Sequence, residues 1–354
     1  MRPLAALALC LCGLAGTAYA SRGDRLPYFQ ECVQNCITDS CQATSPNPIV
    51  LPNYLSLLSW TCPAECDYRC QHQTTAYLTE NNLPIEQFHG KWPFHRLLGT
   101  QELASVLFSL LNLYAHWNGM MTLNRRLPKQ HPLRHLYRCY SYVGIWCWFW
   151  SAVFHTRDLL WTERMDYFGA GANVLYGLFL APVRVFEGYY PPKKRAGGQV
   201  VKQQGSEFKP WVYVWATLCA AGYIAHIYYL SFVEWSYTYN MMANVAAGAT
   251  GNLLWSYFSV KQYRRKGNAR NLWPGLCVMW IIAAMGLELL DFPPIWGVFD
   301  AHCLWHLMTV WPTMWWYVFL LADARDVLGY GDGIEDLGVL GDEAEMVKWK
   351  DREE

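Results

Sequence analysis

The sequence predicts an all-α membrane protein, a bundle of seven transmembrane helices that follows a small disulfide-rich segment. Three observations predict this fold. Apolar runs near the length of a bilayer span recur from residue 98 onward, short polar breaks separate them, and cysteines cluster ahead of the first run. Composition agrees, because 53% of the residues are hydrophobic and only 16% are charged. The mean hydropathy is nevertheless close to zero, since the 19 Trp and 23 Tyr favour membrane interfaces but score poorly on hydropathy scales.

Residues 1–20 predict a cleaved signal peptide. They read MRPLAALALCLCGLAGTAYA, in which one early arginine precedes a short apolar core and small residues end the segment. Residues 21–97 would then face an oxidising lumen, and six of the 13 cysteines fall there: Cys32, Cys36, Cys41, Cys62, Cys66 and Cys70. We expect a disulfide framework of up to three bridges, with the pairing left open. A zinc knuckle is the competing interpretation, and it needs thiolates that an oxidising compartment removes.

Residues 98–322 are predicted to form the transmembrane domain. Its seven apolar runs cover 98–121, 138–156, 165–185, 210–232, 239–260, 271–290 and 301–322. Glycines and other small residues within the fifth run suit close helix packing.

The distribution of basic residues predicts the orientation. They crowd the first, third and fifth loops, whereas the even-numbered loops hold only Arg157 and Arg164. Positively charged loops stay in the cytosol, so we expect a multi-pass protein with a lumenal N-terminus and a cytosolic C-terminus. Residues 323–354 then form an acidic cytosolic tail. The formal net charge of zero and the lack of a basic stripe in a soluble segment argue against nucleic acid as a partner.

Five polar residues are predicted to meet at the lumenal ends of three spans. Ser151 and His155 lie one turn apart at the end of the second span, and Asp166 opens the third. His302 and His306 lie in the first two turns of the seventh. Three histidines from two helices, with one position left open, are typical of a catalytic zinc site. A carboxylate beside it would act as general base, and a serine hydroxyl could donate to a developing oxyanion.

Single members of this pattern have simpler interpretations. Two histidines four residues apart can arise by chance, and Ser151 could bond only the backbone of its own helix. Asp300 is interpreted as the N-cap of the seventh helix rather than as a catalyst. His116 and His226, each alone in its span, are interpreted as packing residues. The combined pattern favours function, because ionisable groups in a span are costly.

Two polar residues outside the spans have two interpretations each. The stretch QFHGKWPFHR (87–96) suits an interfacial anchor, but His89 within it could instead contact the glycan or phosphate of a substrate. Asp291 either lines the lumenal mouth of the site or ends the sixth helix before Pro293 and Pro294.

The pattern resembles the membrane hydrolase superfamily of alkaline ceramidases and adiponectin-type receptors. Within it, the chain is similar to the GPI-anchor lipid-remodelling phospholipases. The Cys-rich segment and five stretches carry this similarity: QFHGKWPF (87–94), FWSAVFHTRD (149–158), MDYF (165–168), LELLDFPP (287–294) and DAHCLWH (300–306). The resemblance implies a seven-helix protein of the endoplasmic reticulum membrane that removes the sn-2 acyl chain from the lipid of GPI-anchored proteins.

The resemblance also implies roles for the five polar residues. It places Zn²⁺ on His155, His302 and His306, and it makes Ser151 and Asp166 catalytic. Two alternatives stay open at this point: a ceramidase-like amidase, and a non-enzymatic seven-helix receptor or chaperone for GPI proteins with structural zinc. The site residues do not distinguish an ester from an amide, although the disulfide-rich segment favours a protein-attached glycolipid over a free ceramide. The role of Ser151, the acyl-chain preference and the oligomeric state are also left open.

Overall fold

A computed structural model describes residues 21–42, 44–45, 47–129, 131–191, 193–194, 200–201 and 207–328. The predicted signal peptide, residues 1–20, lies outside the described residues, as does residue 329 onward of the predicted tail. The final helix continues through residues 323–328, past the predicted start of that tail.

Almost all regular secondary structure of the described residues is helical. Ten α-helices follow one another along the chain: α1 (Pro27–Ser40), α2 (Asn53–Leu57), α3 (Cys62–Glu80), α4 (Leu103–Arg126), α5 (Arg134–Thr156), α6 (Leu160–Val185), α7 (Pro210–Tyr228), α8 (Tyr237–Lys266), α9 (Trp273–Glu288) and α10 (Ala301–Leu328). A π-helical turn, Tyr229–Val233, extends α7, and a 3₁₀ turn, Ala269–Leu272, leads into α9. Two two-residue strands, β1 (Lys193–Lys194) and β2 (Val200–Val201), pair antiparallel between α6 and α7. The predicted all-α class is therefore confirmed.

Each of the seven predicted apolar runs overlaps one of the helices α4 to α10. Among the described residues, three helical stretches are long and apolar enough to cross a membrane: Leu160–Val185, Pro210–Val233 and Ala269–Glu288. They indicate a membrane protein. The other four helices carry more polar residues, such as Asn112 and His116 in α4, which lower the hydropathy of the run. Seven membrane crossings stay a prediction.

The chain divides into two compact units, and the first contains the cysteine-rich segment. It comprises the described residues within 1–106, 154–159 and 290–304. Helices α1 and α3 pack against each other in this unit, joined by three disulfides, Cys32–Cys70, Cys36–Cys66 and Cys41–Cys62. The nested order of the bridges makes the two helices antiparallel. Each bridge is expected to add about 2–4 kcal/mol of stability.

The three disulfides decide between the two interpretations of the cysteine cluster. Cys41, Cys62 and Cys66 are close enough together to hold a metal ion. All three sulfurs are nevertheless engaged in bridges, so none is a thiolate that could bind zinc. The disulfide framework is confirmed, and the zinc knuckle is excluded at these residues.

A loop of the first unit, residues 87–100, connects α3 to α4 through two tight turns. Phe88 pairs with Lys91 across the first turn and Leu97 with Thr100 across the second. His89 takes up a left-handed backbone conformation in the first turn, with φ of 52°. The turns reverse the chain so that Lys91 lies beside the start of α4.

The second unit comprises the described residues within 107–153, 160–289 and 305–354. In it α6 packs against α7 and α8, and α8 packs against α9. Glycine permits a close approach of α6 to α5, because a Cβ on Gly169 would lie 3.2 Å from the Cα of Cys147. A bidentate ion pair is buried in this unit, where Arg184 of α6 donates to Asp323 of α10 at 2.6 and 2.7 Å. Tyr137 donates to the same carboxylate at 2.9 Å.

Helix α10 contains Pro312, which cannot donate to the carbonyl of Met308 one turn earlier. The indole Nε1 of Trp280 donates to that carbonyl at 2.8 Å and satisfies it. The helix therefore continues through the proline from Ala301 to Leu328, and it carries both predicted histidines at its start.

Candidate metal and catalytic site

Two of the predicted zinc ligands lie together in the first unit. His155 is in the last turn of α5 and His302 in the first turn of α10, and their ring centroids are 5.2 Å apart. His155 is buried, whereas His302 is partly exposed. The spacing is short enough for one metal ion to be bound by both imidazoles.

Glu102 holds His155 in place. One carboxylate oxygen of Glu102 lies 2.7 Å from Nδ1 of His155, and the backbone N–H of Glu102 donates to the His155 carbonyl at 3.0 Å. The neighbouring backbone N–H of Gln101 donates to Thr156 at 3.1 Å. The start of α4 is therefore fixed to the end of α5 by bonds on both sides of the histidine.

Lys91 balances the charge of Glu102. Its ammonium lies 2.5 Å from the second oxygen of Glu102, 3.0 Å from Asp158 and 4.0 Å from the centre of the Phe154 ring. Burial alone would lower the pKa of Lys91, but the carboxylates of Glu102 and Asp158 outweigh it and raise the pKa above the ordinary value. Lys91 is therefore paired with two carboxylates of the first unit, and its side chain is 27% exposed.

Sequence reasoning missed Glu102 and Lys91. Glu102 is 4% exposed and stands at the start of a predicted span, where a buried carboxylate is costly and usually functional. The cost of burying a carboxylate in a span could therefore have identified Glu102 from the sequence. Lys91 gave no local signal, because a lysine in a polar loop is ordinary and its partner at position 158 is far away in the sequence.

The third predicted ligand, His306, belongs to the second unit and contacts two buried serines. Nδ1 of His306 lies 3.0 Å from Oγ of Ser109, and that Oγ lies 3.0 Å from Oγ of Ser151. Trp148 packs edge-on against the His306 ring at 5.2 Å. Ser151 is thus joined to a histidine through Ser109, and its hydroxyl bonds another side chain rather than only its own helix.

A second set of bonds fixes the backbone at His306. The side-chain amide of Asn112 donates to the His306 carbonyl at 2.7 Å, and the Thr309 hydroxyl donates to the same oxygen at 2.7 Å. Ser109 and Asn112 are three residues apart on one face of α4. From this face, Ser109 bonds the side chain of His306 and Asn112 bonds its backbone. Sequence reasoning also missed Ser109, because a serine inside an apolar helix has no distinctive pattern.

Asp166 lies in the second turn of α6, partly exposed. Three residues later, Gly169 marks the close approach of α6 to Cys147 of α5. Ser151 lies four residues after Cys147, on the same face of α5. Because the two helices run in opposite directions, Asp166 and Ser151 both lie about one turn, or about 5.4 Å, to the same side of this contact.

The structure assigns roles to the polar residues that the sequence left open. Asp300 accepts the backbone N–H of Cys303 at 2.8 Å, so it caps α10 as predicted. Asp291 accepts bonds from Gln87 at 3.0 Å and from Trp92 at 2.9 Å, and so ties down the loop before α4. His89 bonds Asp67 at 2.8 Å. That bond, together with nearby carboxylates, raises the pKa of His89 despite partial burial.

The two lone histidines make the packing contacts expected of them. His116 is buried and lies 2.8 Å from the hydroxyl of Tyr317. His226 lies 3.2 Å from the side-chain oxygen of Asn240. Neither histidine belongs to the groups of metal-binding side chains among the described residues.

His155, His302 and His306 can each offer one ring nitrogen to a metal ion. The two units together contain all five residues that the sequence singled out. A family model described as the Per1-like family matches residues 52–324.

The chain belongs to the Per1-like family.

The matched region spans Glu102, Ser109 and the five predicted site residues. Curated relatives agree over most of their length. The chain is 39% identical over 302 residues to "Protein PER1 homolog" of Schizosaccharomyces pombe, covering 85% of this chain and 87% of the relative. It is 36% identical over 325 residues to "GPI-specific phospholipase A2-like PGAP3" of Cricetulus griseus, covering 90% and 94%. The protein of the same name from Homo sapiens is 35% identical over 333 residues, covering 93% and 97%. No solved structure matches the chain significantly. Membership of the Per1-like family confirms the resemblance to GPI-anchor remodelling proteins.

Proposed function

We propose that this Per1-like protein is a zinc-dependent hydrolase that removes the sn-2 acyl chain from the lipid of GPI-anchored proteins. His155, His302 and His306 would bind the zinc ion, and Ser151 and Asp166 would be catalytic. The observation that carries the proposal is that the predicted residues make histidine contacts within each unit. His155 lies beside His302 in the first unit, and Ser151 reaches His306 through Ser109 in the second.

The spacing along each helix supports the assignment. Ser151 and His155 share one face of α5, and His302 and His306 share one face of α10, in each case one turn apart. Three neutral imidazoles suit Zn²⁺, and three protein ligands leave the open position that a catalytic ion needs.

The donor set fits zinc in its protonation as well. Nδ1 of His155 faces Glu102 and Nδ1 of His306 faces Ser109, so we assign Nε2 of each ring to the metal. Bound zinc would polarise the ester carbonyl and lower the pKa of a water molecule toward neutrality. Asp166 would accept the proton of the attacking water and return it to the departing glycerol oxygen as the acyl C–O bond breaks.

Hydrogen-bond polarity supports a role for Ser151 as an oxyanion donor. If Nε2 of His306 binds zinc, Nδ1 carries the proton and donates to Ser109. Ser109 then donates its own proton to Oγ of Ser151. The proton of Ser151 is consequently directed away from Ser109 and is available to the carbonyl oxygen of the ester as negative charge develops there.

The substrate is inferred from the relatives. Several are named GPI-specific phospholipase A2-like, and the chain aligns with them over most of their length. Three disulfides suit an oxidising lumen, which supports the endoplasmic reticulum membrane as the location and a lumenal N-terminus. The cytosolic C-terminus follows from the basic loops. GPI-anchored proteins would then be the partners.

Mass spectrometry of GPI lipids tests the proposal. Cells lacking the protein are complemented with wild type, with His306→Ala, or with His135→Ala, in which the substituted histidine is exposed on α5. We expect wild type and His135→Ala to restore remodelled sn-2 chains and His306→Ala to leave them unremodelled. Normal remodelling with His306→Ala would refute the proposed hydrolase function. Ceramide hydrolysis in place of GPI remodelling would favour the amidase alternative.

A further inference from the structure

We propose that Glu102 and Lys91 are positioning residues that set the imidazole of His155 for metal binding. This inference rests on the proposed zinc site. Neither residue contributes a ligand, and both act through the orientation of the His155 ring. All the contacts involved lie within the first unit.

Glu102 fixes the ring in two ways. Its carboxylate lies 2.7 Å from Nδ1, while its backbone N–H donates to the carbonyl of the same residue at 3.0 Å. The backbone bond sets the distance between the two residues, and the carboxylate then selects the tautomer with its proton on Nδ1. A carboxylate that accepts this proton also makes the opposite nitrogen a stronger donor to a metal.

Lys91 keeps that carboxylate oriented. Glu102 is buried and presents one oxygen to His155 and the other to the ammonium of Lys91 at 2.5 Å. Asp158 at 3.0 Å and the Phe154 ring at 4.0 Å hold the ammonium from the end of α5. Each carboxylate oxygen thus has its own partner, and the Glu102 side chain has little freedom to rotate away from His155.

A positioning pair and a purely structural ion pair have different effects on zinc affinity. A structural pair stabilises the fold whether or not metal is present. A positioning pair changes the affinity of the folded protein for zinc, because outer-shell carboxylates typically contribute about 10- to 100-fold to metal affinity. Zinc affinity at constant fold is therefore the quantity to measure.

The experiment uses the full chain, purified in detergent, with zinc affinity measured by competition against a chromophoric chelator. We expect Glu102→Gln, which keeps the shape and an acceptor oxygen but loses the charge, to bind zinc about 10- to 100-fold more weakly. Lys91→Met should weaken binding in the same direction, and Lys91→Arg should restore most of it. Melting temperature is recorded for each variant.

A matched control is Glu65→Gln. Glu65 is a buried carboxylate of the same unit that accepts bonds from Arg69 and Arg96, with no contact to the histidines. The Glu65→Gln variant should be less stable than wild type and should retain wild-type zinc affinity. Wild-type affinity in Glu102→Gln, or an equal loss in Glu65→Gln, would overturn the inference. If Glu102→Gln does not fold, wild-type zinc affinity in folded Lys91→Met overturns it instead. A wild-type protein that binds no zinc would refute the proposed function itself.

Discussion

Replacing Ser109 with alanine tests the hydrogen-bond chain from His306 to Ser151. The Ser109 hydroxyl lies 3.0 Å from both partners, and all three side chains are buried. The change removes the acceptor for Nδ1 of His306 and the donor to Ser151. A single hydrogen bond is worth about 0.5–1.5 kcal/mol, and the buried group left without a partner costs about 1–3 kcal/mol.

These magnitudes predict distinct kinetic effects. Ser151→Ala removes the proposed oxyanion donor itself, and such losses lower kcat by about 100- to 1,000-fold. Ser109→Ala leaves that donor in place but no longer directs its proton, so we expect a loss of about 10-fold, equivalent to about 1.4 kcal/mol. The double variant should be no slower than Ser151→Ala, because Ser109 acts on the reaction through Ser151.

The assay is release of a labelled sn-2 fatty acid from a phosphatidylinositol substrate by purified protein with its zinc content measured. Thr313→Ala is a suitable control, since its hydroxyl only bonds the backbone of its own helix at 2.8 Å. Independent effects, in which the double variant loses the product of the two single losses, would refute the chain. An unchanged rate in Ser109→Ala at full zinc content would do the same.

Three further predictions concern other residues. Asp166→Asn should retain zinc and lose activity, because the amide cannot accept the proton of water; unchanged activity would remove Asp166 from the mechanism. Asp323→Asn should cost about 3–5 kcal/mol of stability in thermal unfolding, since it leaves a buried guanidinium unpaired, whereas Asp326→Asn at a more exposed pair should cost about 0–1 kcal/mol. His89→Gln should destabilise the first unit more at about pH 5.5 than at about pH 8.5. The bond to Asp67 raises the pKa of His89, so its stabilisation is complete below the unfolded pKa of about 6.5 and is lost as pH rises through the folded pKa. Equal destabilisation at both pH values would show that the charge of His89 does not contribute.

Much of the secondary structure could be predicted from patterns among neighbouring residues. Helices α4 to α10 follow the seven apolar runs, because a run of apolar residues is a property of neighbouring positions. The Asp300 cap was also predictable, since a cap acts within one turn of its own helix. The cysteine cluster predicted disulfides because six cysteines lie in one short segment, but it left their pairing open.

The sequence by itself determined the helical class, the cysteine-rich segment, the resemblance to GPI-anchor lipid-remodelling phospholipases and the five polar residues of the pattern. Only the tertiary structure decided which cysteines pair and what holds each histidine. Glu102 and His155 are 53 positions apart, and Ser109 and His306 are 197 apart. Contacts at such separations depend on how whole helices pack, and no local periodicity encodes them. The sequence pattern predicted the candidate reactive groups, whereas helix packing brought Glu102 and Ser109 into contact with two of them.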